Sequence, residues 1–143
     1  MTFLLDVNIL IALIDPLHIR HDEAHRWLAE HKHDVWATCP ITENGVLRIV
    51  GHPRYPNSPG TPAAVVRSLL DLRALPNHTF WADDVSLLDS NLLDASRLLT
   101  SGQITDSYLL ALAQAHDGQL ATYDHRLITT AVRGGNQNLH VII

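Results

Sequence analysis

The amino-acid sequence predicts an α/β fold with a mostly parallel central sheet. Two observations carry this. Five short apolar runs, Thr2–Leu5, Val35–Ala37, Thr79–Ala82, Gln119–Thr122 and Leu139–Ile143, alternate with segments of helical period. Two of these runs are followed by an acid, Thr2–Leu5 by Asp6 and Gln119–Thr122 by Asp124. A parallel sheet binds ligands at the carboxyl ends of its strands, where both acids fall.

The elements follow in order. Thr2–Leu5 is short, apolar and bounded by Asp6, as expected of a buried strand. Asp6-Val7-Asn8 opens a helix that runs to Ile14 and stops at Asp15-Pro16. His21–Glu30 is a second helix and Val35–Ala37 a short strand. Pro40 suits a first helical turn, and Ile41–Val50 continues that helix to Gly51-His52-Pro53. Arg54–Thr61, with Pro56, Pro59 and Gly60, is a long loop. Pro62 starts a helix to Arg73, and Pro76-Asn77 turns into the strand Thr79–Ala82. Asp84–Asp89 and Leu92–Leu99 read as short helices. Gly102 or Gln103 begins a strong helix through His116. Asp117-Gly118 turns into the strand Gln119–Thr122. Asp124–Thr130 reads as a short helix, and Leu139–Ile143 as an edge strand.

The chain of 143 residues has the length of one domain, here taken as 1–143, and is 46% apolar, enough for a core. The start MTFLLDVN lacks the basic and apolar regions of a signal peptide. No apolar stretch reaches the roughly 18 residues of a membrane span. A single cysteine, Cys39, excludes an internal disulfide and reads as a small packing residue. A cytoplasmic protein is expected. The net charge of -5 argues against strong nonspecific nucleic-acid binding. Nine of the ten basic residues are Arg, which suits bidentate contacts to phosphate.

Four acids define the candidate site: Asp6, Glu43, Asp106 and Asp124. At about 100° per residue, Glu43 shares a helix face with Val46, Leu47 and Val50. Asp106 shares one with Leu109, Leu110 and Ala113. Both acids therefore crown apolar stripes that face the sheet, near helix starts that tolerate an anion. Acids are seldom buried unless paired or bound to a cation. Such a cluster suits a hard cation with oxygen ligands. An ordinary first-turn acid remains the alternative for Glu43 taken alone.

These segments carry a family resemblance. FLLDVNILIAL, ITENGVLRI, QITDSYLLALA and LATYDHRL resemble, in order and element type, the motifs of PIN domains. The compact form and the CPITENG segment resemble the toxin ribonucleases of bacterial VapBC toxin–antitoxin modules. The resemblance implies an α/β/α sandwich and endoribonuclease activity dependent on Mg²⁺, with Mn²⁺ as substitute. It implies structured RNA (tRNA or rRNA) as substrate, inhibition of translation, a cognate VapB-type antitoxin, a toxin homodimer and a bacterial cell. Asp6, Glu43, Asp106 and Asp124 match the metal-site acids, and Asn8 and Thr122 their polar neighbours. Asp6, Asp106 and Asp124 are expected to lie nearest the metal, with Glu43 binding through water or orienting water. The implied reaction is hydrolysis at phosphorus that leaves a 5′-phosphate and a 3′-hydroxyl.

Arg126, two residues past Asp124, is the foremost candidate for a phosphate contact, with Arg48, Arg54, Arg97 and Arg133 as further candidates. Each also reads as an ordinary solvated arginine. Tyr123 reads as a packed aromatic or a base-stacking group. His18, His21 and His25 with Asp22 form a weak zinc-like pattern. A non-enzymatic RNA- or protein-binding module under the control of a partner is the rival class. A phosphatase with Asp6 as nucleophile is disfavoured, because DVN lacks the second acid of DxD. No glycine-rich phosphate loop or CxxC pair is present.

Overall fold

A computed structural model describes all residues 1–143. Five strands form one sheet in the order β3-β2-β1-β4-β5, and every neighbouring pair is parallel. The strands are β1 (Thr2–Leu5), β2 (Val35–Thr38), β3 (His78–Phe80), β4 (Gln119–Thr122) and β5 (Leu139–Val141). The helices are α1 (Val7–Ile14), α2 (His21–Glu30), α3 (Pro40–Val50), α4 (Pro62–Arg73) and α5 (Ile104–Ala115).

Side-chain alternation along β1 divides the core in two. Phe3 and Leu5 join a cluster built with α1, α2, α3 and α4, including Ile9, Trp27, Val46 and Leu69. Leu4 points the other way, into a cluster with Leu109, Leu110 and Leu112 of α5 and with Trp81, Leu93 and Val132. A strand apolar on both faces must be covered on both, so the result is a three-layer α/β/α sandwich. No helix is long and apolar enough to cross a membrane.

The helix starts are chemically defined. The Asp6 side chain accepts from Val7 N at 2.8 Å, and its backbone oxygen accepts from Ile9 N and Leu10 N. Pro40 and Pro62 occupy first-turn positions of α3 and α4. Thr42 Oγ1 accepts from Cys39 N at 3.0 Å, and Thr61 Oγ1 from Ala64 N at 3.3 Å. Gln103 enters α5 through a 3-10 turn and accepts from Leu99 N and Thr100 N.

Three expected helices do not form. Residues 84–89 make turns in which Ser86 Oγ takes Leu88 N. In 92–99 only Ala95–Arg97 is a 3-10 turn, after a bridge from Leu93 to Val132, and the Asp94 carboxylate takes Ser96 N. Residues 124–130 turn because Asp124 Oδ1 takes Arg126 N at 2.8 Å. In each case a short polar side chain bonds a backbone N–H two residues on and competes with the helix. β3 begins one residue earlier than expected and ends at Phe80, although Trp81 N still donates to Thr38 O at 2.9 Å. β5 ends at Val141. A 3-10 turn, Gly135–Asn138, precedes β5 and carries no apolar periodicity by which to foresee it.

Candidate active site

β1 and β4 lie side by side, so their carboxyl ends bring Asp6 and Thr122 together. Thr122 Oγ1 donates to Asp6 Oδ2 at 2.7 Å and accepts from Asp124 N at 3.1 Å. One buried hydroxyl thus orients the first acid and fixes the backbone of another. The first turn of α5 supplies Asp106. Gly45 allows α3 to approach this edge, since a Cβ there would stand 2.8 Å from Val7 Cγ2. Asp6, Asn44, Gly45, Arg48, Thr105 and Asp106 line a cleft of about 650 Å³.

The three aspartates share one electrostatic field. Burial pushes the Asp6 carboxyl above its usual range; the bonds from Thr122 and Val7 oppose this, and Asp124 adds to it. Asp106 is pushed up to about 6, first by burial, then by the charges of Asp6 and Asp124. No hydrogen bond offsets that push. Burial and like charges at one site make this cost, and a cation would offset it.

Glu43 stands apart from this set. Its Oε2 accepts from Thr38 Oγ1 at 2.7 Å and lies 3.4 Å from Arg73 Nη1. Thr38 has one proton and gives it to Glu43, so His78 Nε2, 2.7 Å away, donates to Thr38. Burial, and then Arg73, holds His78 down at about 4. Glu43 is not among the charges that raise Asp106. Sequence reasoning missed Thr38, Arg73 and His78. A signal did exist: β2 and β4 both end in Ala-Thr, and each threonine donates to a carboxylate.

The remaining candidates separate clearly. Asn8 Oδ1 is buried without a partner, as is Ser107 Oγ. Arg48 lines the cleft and is exposed. Arg126 is exposed beside Asp124, to which its backbone bonds. Arg54 lies exposed in the loop after α3, its N–H on His52 Nδ1. Arg97 and Arg133 line a different polar hollow with Asp94 and Thr130. The Tyr123 ring packs under the Arg20 guanidinium at 4.4 Å. His21 Nδ1 and His25 Nε2 each sit 2.8 Å from carbonyls of α1, Ala12 and Leu13.

The aspartates fit a hard divalent cation, being carboxylates with no counter-charge, and Asn8, two residues past Asp6, holds a buried amide oxygen without a partner. The shell is not closed as it stands, because no three His, Cys, Asp or Glu groups converge at coordinating range. The same holds for the histidines of α2.

The PIN domain family profile matches residues 3–132. Ribonuclease VapC44 of Mycobacterium tuberculosis is 45% identical over 141 residues, 96% of each chain. Ribonuclease VapC39 of the same species is 40% identical over 134 residues, 94% of this chain and 96% of the relative. The crystal structure of VapBC2 from Rickettsia felis, bound to a DNA fragment from its promoter, superposes with a TM-score of 0.63 over 99% of this chain and 98% of that one. Its 14% identity speaks for the fold alone. Family profile and close relatives together show that the chain belongs to the PIN domain family, as a toxin of the VapC type.

Proposed function

We propose that this VapC-type ribonuclease hydrolyses phosphodiester bonds in structured RNA, tRNA or rRNA, with Mg²⁺ or Mn²⁺. In this reading it inhibits translation as the toxin of a type II toxin–antitoxin pair. Residues 1–143 act as one nuclease domain, paired as a homodimer and restrained by a VapB-type antitoxin in the bacterial cytoplasm. The observation that carries this reading is the aspartate triad, in which Asp106 is driven to about 6 by burial, Asp6 and Asp124. Carboxylates brought together without a counter-charge are costly unless a cation uses them.

Asp6, Asp106 and Asp124 would hold the cation, with Glu43 completing the set. When bound, the cation supplies positive charge that offsets the charge developing on the phosphate and makes water a better nucleophile. Thr122 keeps Asp6 oriented through Oδ2, and Val7 N does so through Oδ1. Asn8 adds its free amide oxygen. Arg48 at the cleft wall and Arg126 beside Asp124 would take substrate phosphates, with Arg54, exposed in the loop after α3, as a further candidate. The products are a 5′-phosphate and a 3′-hydroxyl.

Cleavage-site mapping on total RNA tests this, comparing wild type with Asp6→Asn in Mg²⁺, Mn²⁺ and EDTA. Cuts seen in wild type with metal should vanish in the variant and in EDTA. Identical patterns in the two proteins would remove Asp6 from the chemistry. A 2′,3′-cyclic phosphate as primary product would replace hydrolysis by attack of the RNA's own hydroxyl. Normal binding of the antitoxin with no metal-dependent cleavage would favour a binding module.

A further inference from the structure

Of the four acids, Glu43 alone has a cationic side chain against it. Arg73, in the last turn of α4, places Nη1 3.4 Å from Glu43 Oε2. Its guanidinium is braced over the Phe80 ring at 5.2 Å. Thr38 holds the same carboxylate oxygen at 2.7 Å and is itself held by His78. Three elements, β2, β3 and α4, thus grip one side chain of α3. Glu43 is not among the charges that raise Asp6 or Asp106, and no three carboxylates close into a coordination shell.

We infer that Arg73 is a positioning residue that competes with the divalent cation for Glu43, so that loading the site requires Glu43 to let go of Arg73. This rests on the carboxylate-metal reading above. The attraction between Arg73 and Glu43 is then subtracted from cation affinity, since an ion pair must be broken for the cation to gain a ligand. Both side chains are partly exposed, 38% and 17%, so the pair has the strength of a screened contact.

The test is Mn²⁺ binding to the full chain, followed by the electron paramagnetic resonance signal of free Mn²⁺. Arg73→Gln should tighten binding by about two- to fivefold, the range of a partly exposed ion pair. Arg73→Lys, which keeps the charge and loses the fork, should fall between. Thr38→Val loosens the other hold on Glu43 and should also tighten binding. It decides the matter if Arg73→Gln fails to fold by circular dichroism. In a Glu43→Gln background, Arg73→Gln should change nothing. Unchanged or weaker Mn²⁺ binding in Arg73→Gln overturns the inference, and so does a tightening that persists without Glu43, since that is only the loss of a nearby positive charge. If wild type binds no Mn²⁺ that Asp6→Asn abolishes, the carboxylate-metal reading falls and takes this inference with it. If wild type binds and only the Arg73 effect is missing, the reading stands and the competition does not.

Discussion

Asp106 is the carboxylate whose surroundings oppose its charge most plainly, and the consequence has a definite sign. Its folded pKa, about 6, lies above the ordinary 3.8. Between these values the folded chain keeps a proton that the unfolded chain has lost, so stability falls as pH rises from about 4 to about 6. His78 runs the other way: its folded value of about 4 lies below 6.5, so its contribution is lost as pH falls through that window. Asp106→Asn isolates the first effect. In EDTA the variant should melt above wild type at pH 7, and the gap should close by about pH 4. A gap that calorimetry finds constant across pH would show that packing, not charge, sets the difference. Residue placement was partly legible beforehand. Strand ends foretold Asp6 and Asp124, and helical angle foretold the inward faces of Asp106 and Glu43. The partners of Glu43 were not legible, because Thr38, Arg73 and His78 come from three elements whose adjacency only the sheet order decides.

At the scale of elements, the long loop between α3 and α4 is tied down by one buried acid. Asp15 Oδ2 accepts from Tyr55 Oη at 2.5 Å and from Asn57 Nδ2 at 2.9 Å, and Oδ1 accepts from Leu17 N at 3.0 Å. Burial alone would raise the Asp15 carboxyl, but these bonds outweigh it and hold it below its usual range. Tyr55→Phe should cost about 1 kcal/mol in urea unfolding, the worth of one hydrogen bond, and open residues 52–61 to proteolysis first. No loss of either kind would mean the loop is held by its apolar contacts instead. All five helices and the core strands were legible from apolar period, and at α3 and α4 a proline in the first turn agrees with it. The segments 84–89, 92–99 and 124–130 were misread as helices, because Ser86, Asp94 and Asp124 spend their side chains on backbone N–H groups nearby.

For the whole molecule, a net charge of -5 sets the terms on which the RNA of the proposed function would be held. Attraction must come from a few arginines near the cleft rather than from the sum. In the Asp6→Asn background, Arg48→Ala should weaken RNA binding and lower the salt slope by about 0.7, the share of one single-strand phosphate contact. An unchanged slope in a filter-binding titration would take Arg48 off the phosphate path. The parallel topology was foreseeable from alternating strands and helices, but the strand order was not, because no local signal says that β4 inserts beside β1. That pairing, Leu5 against Ala121, joins the two ends of the chain. A polypeptide growing from its amino end therefore presents Asp6 long before Asp106 and Asp124 exist to meet it. Under the proposed function, a chain interrupted before Asp106 lacks two of the acids that would hold the cation.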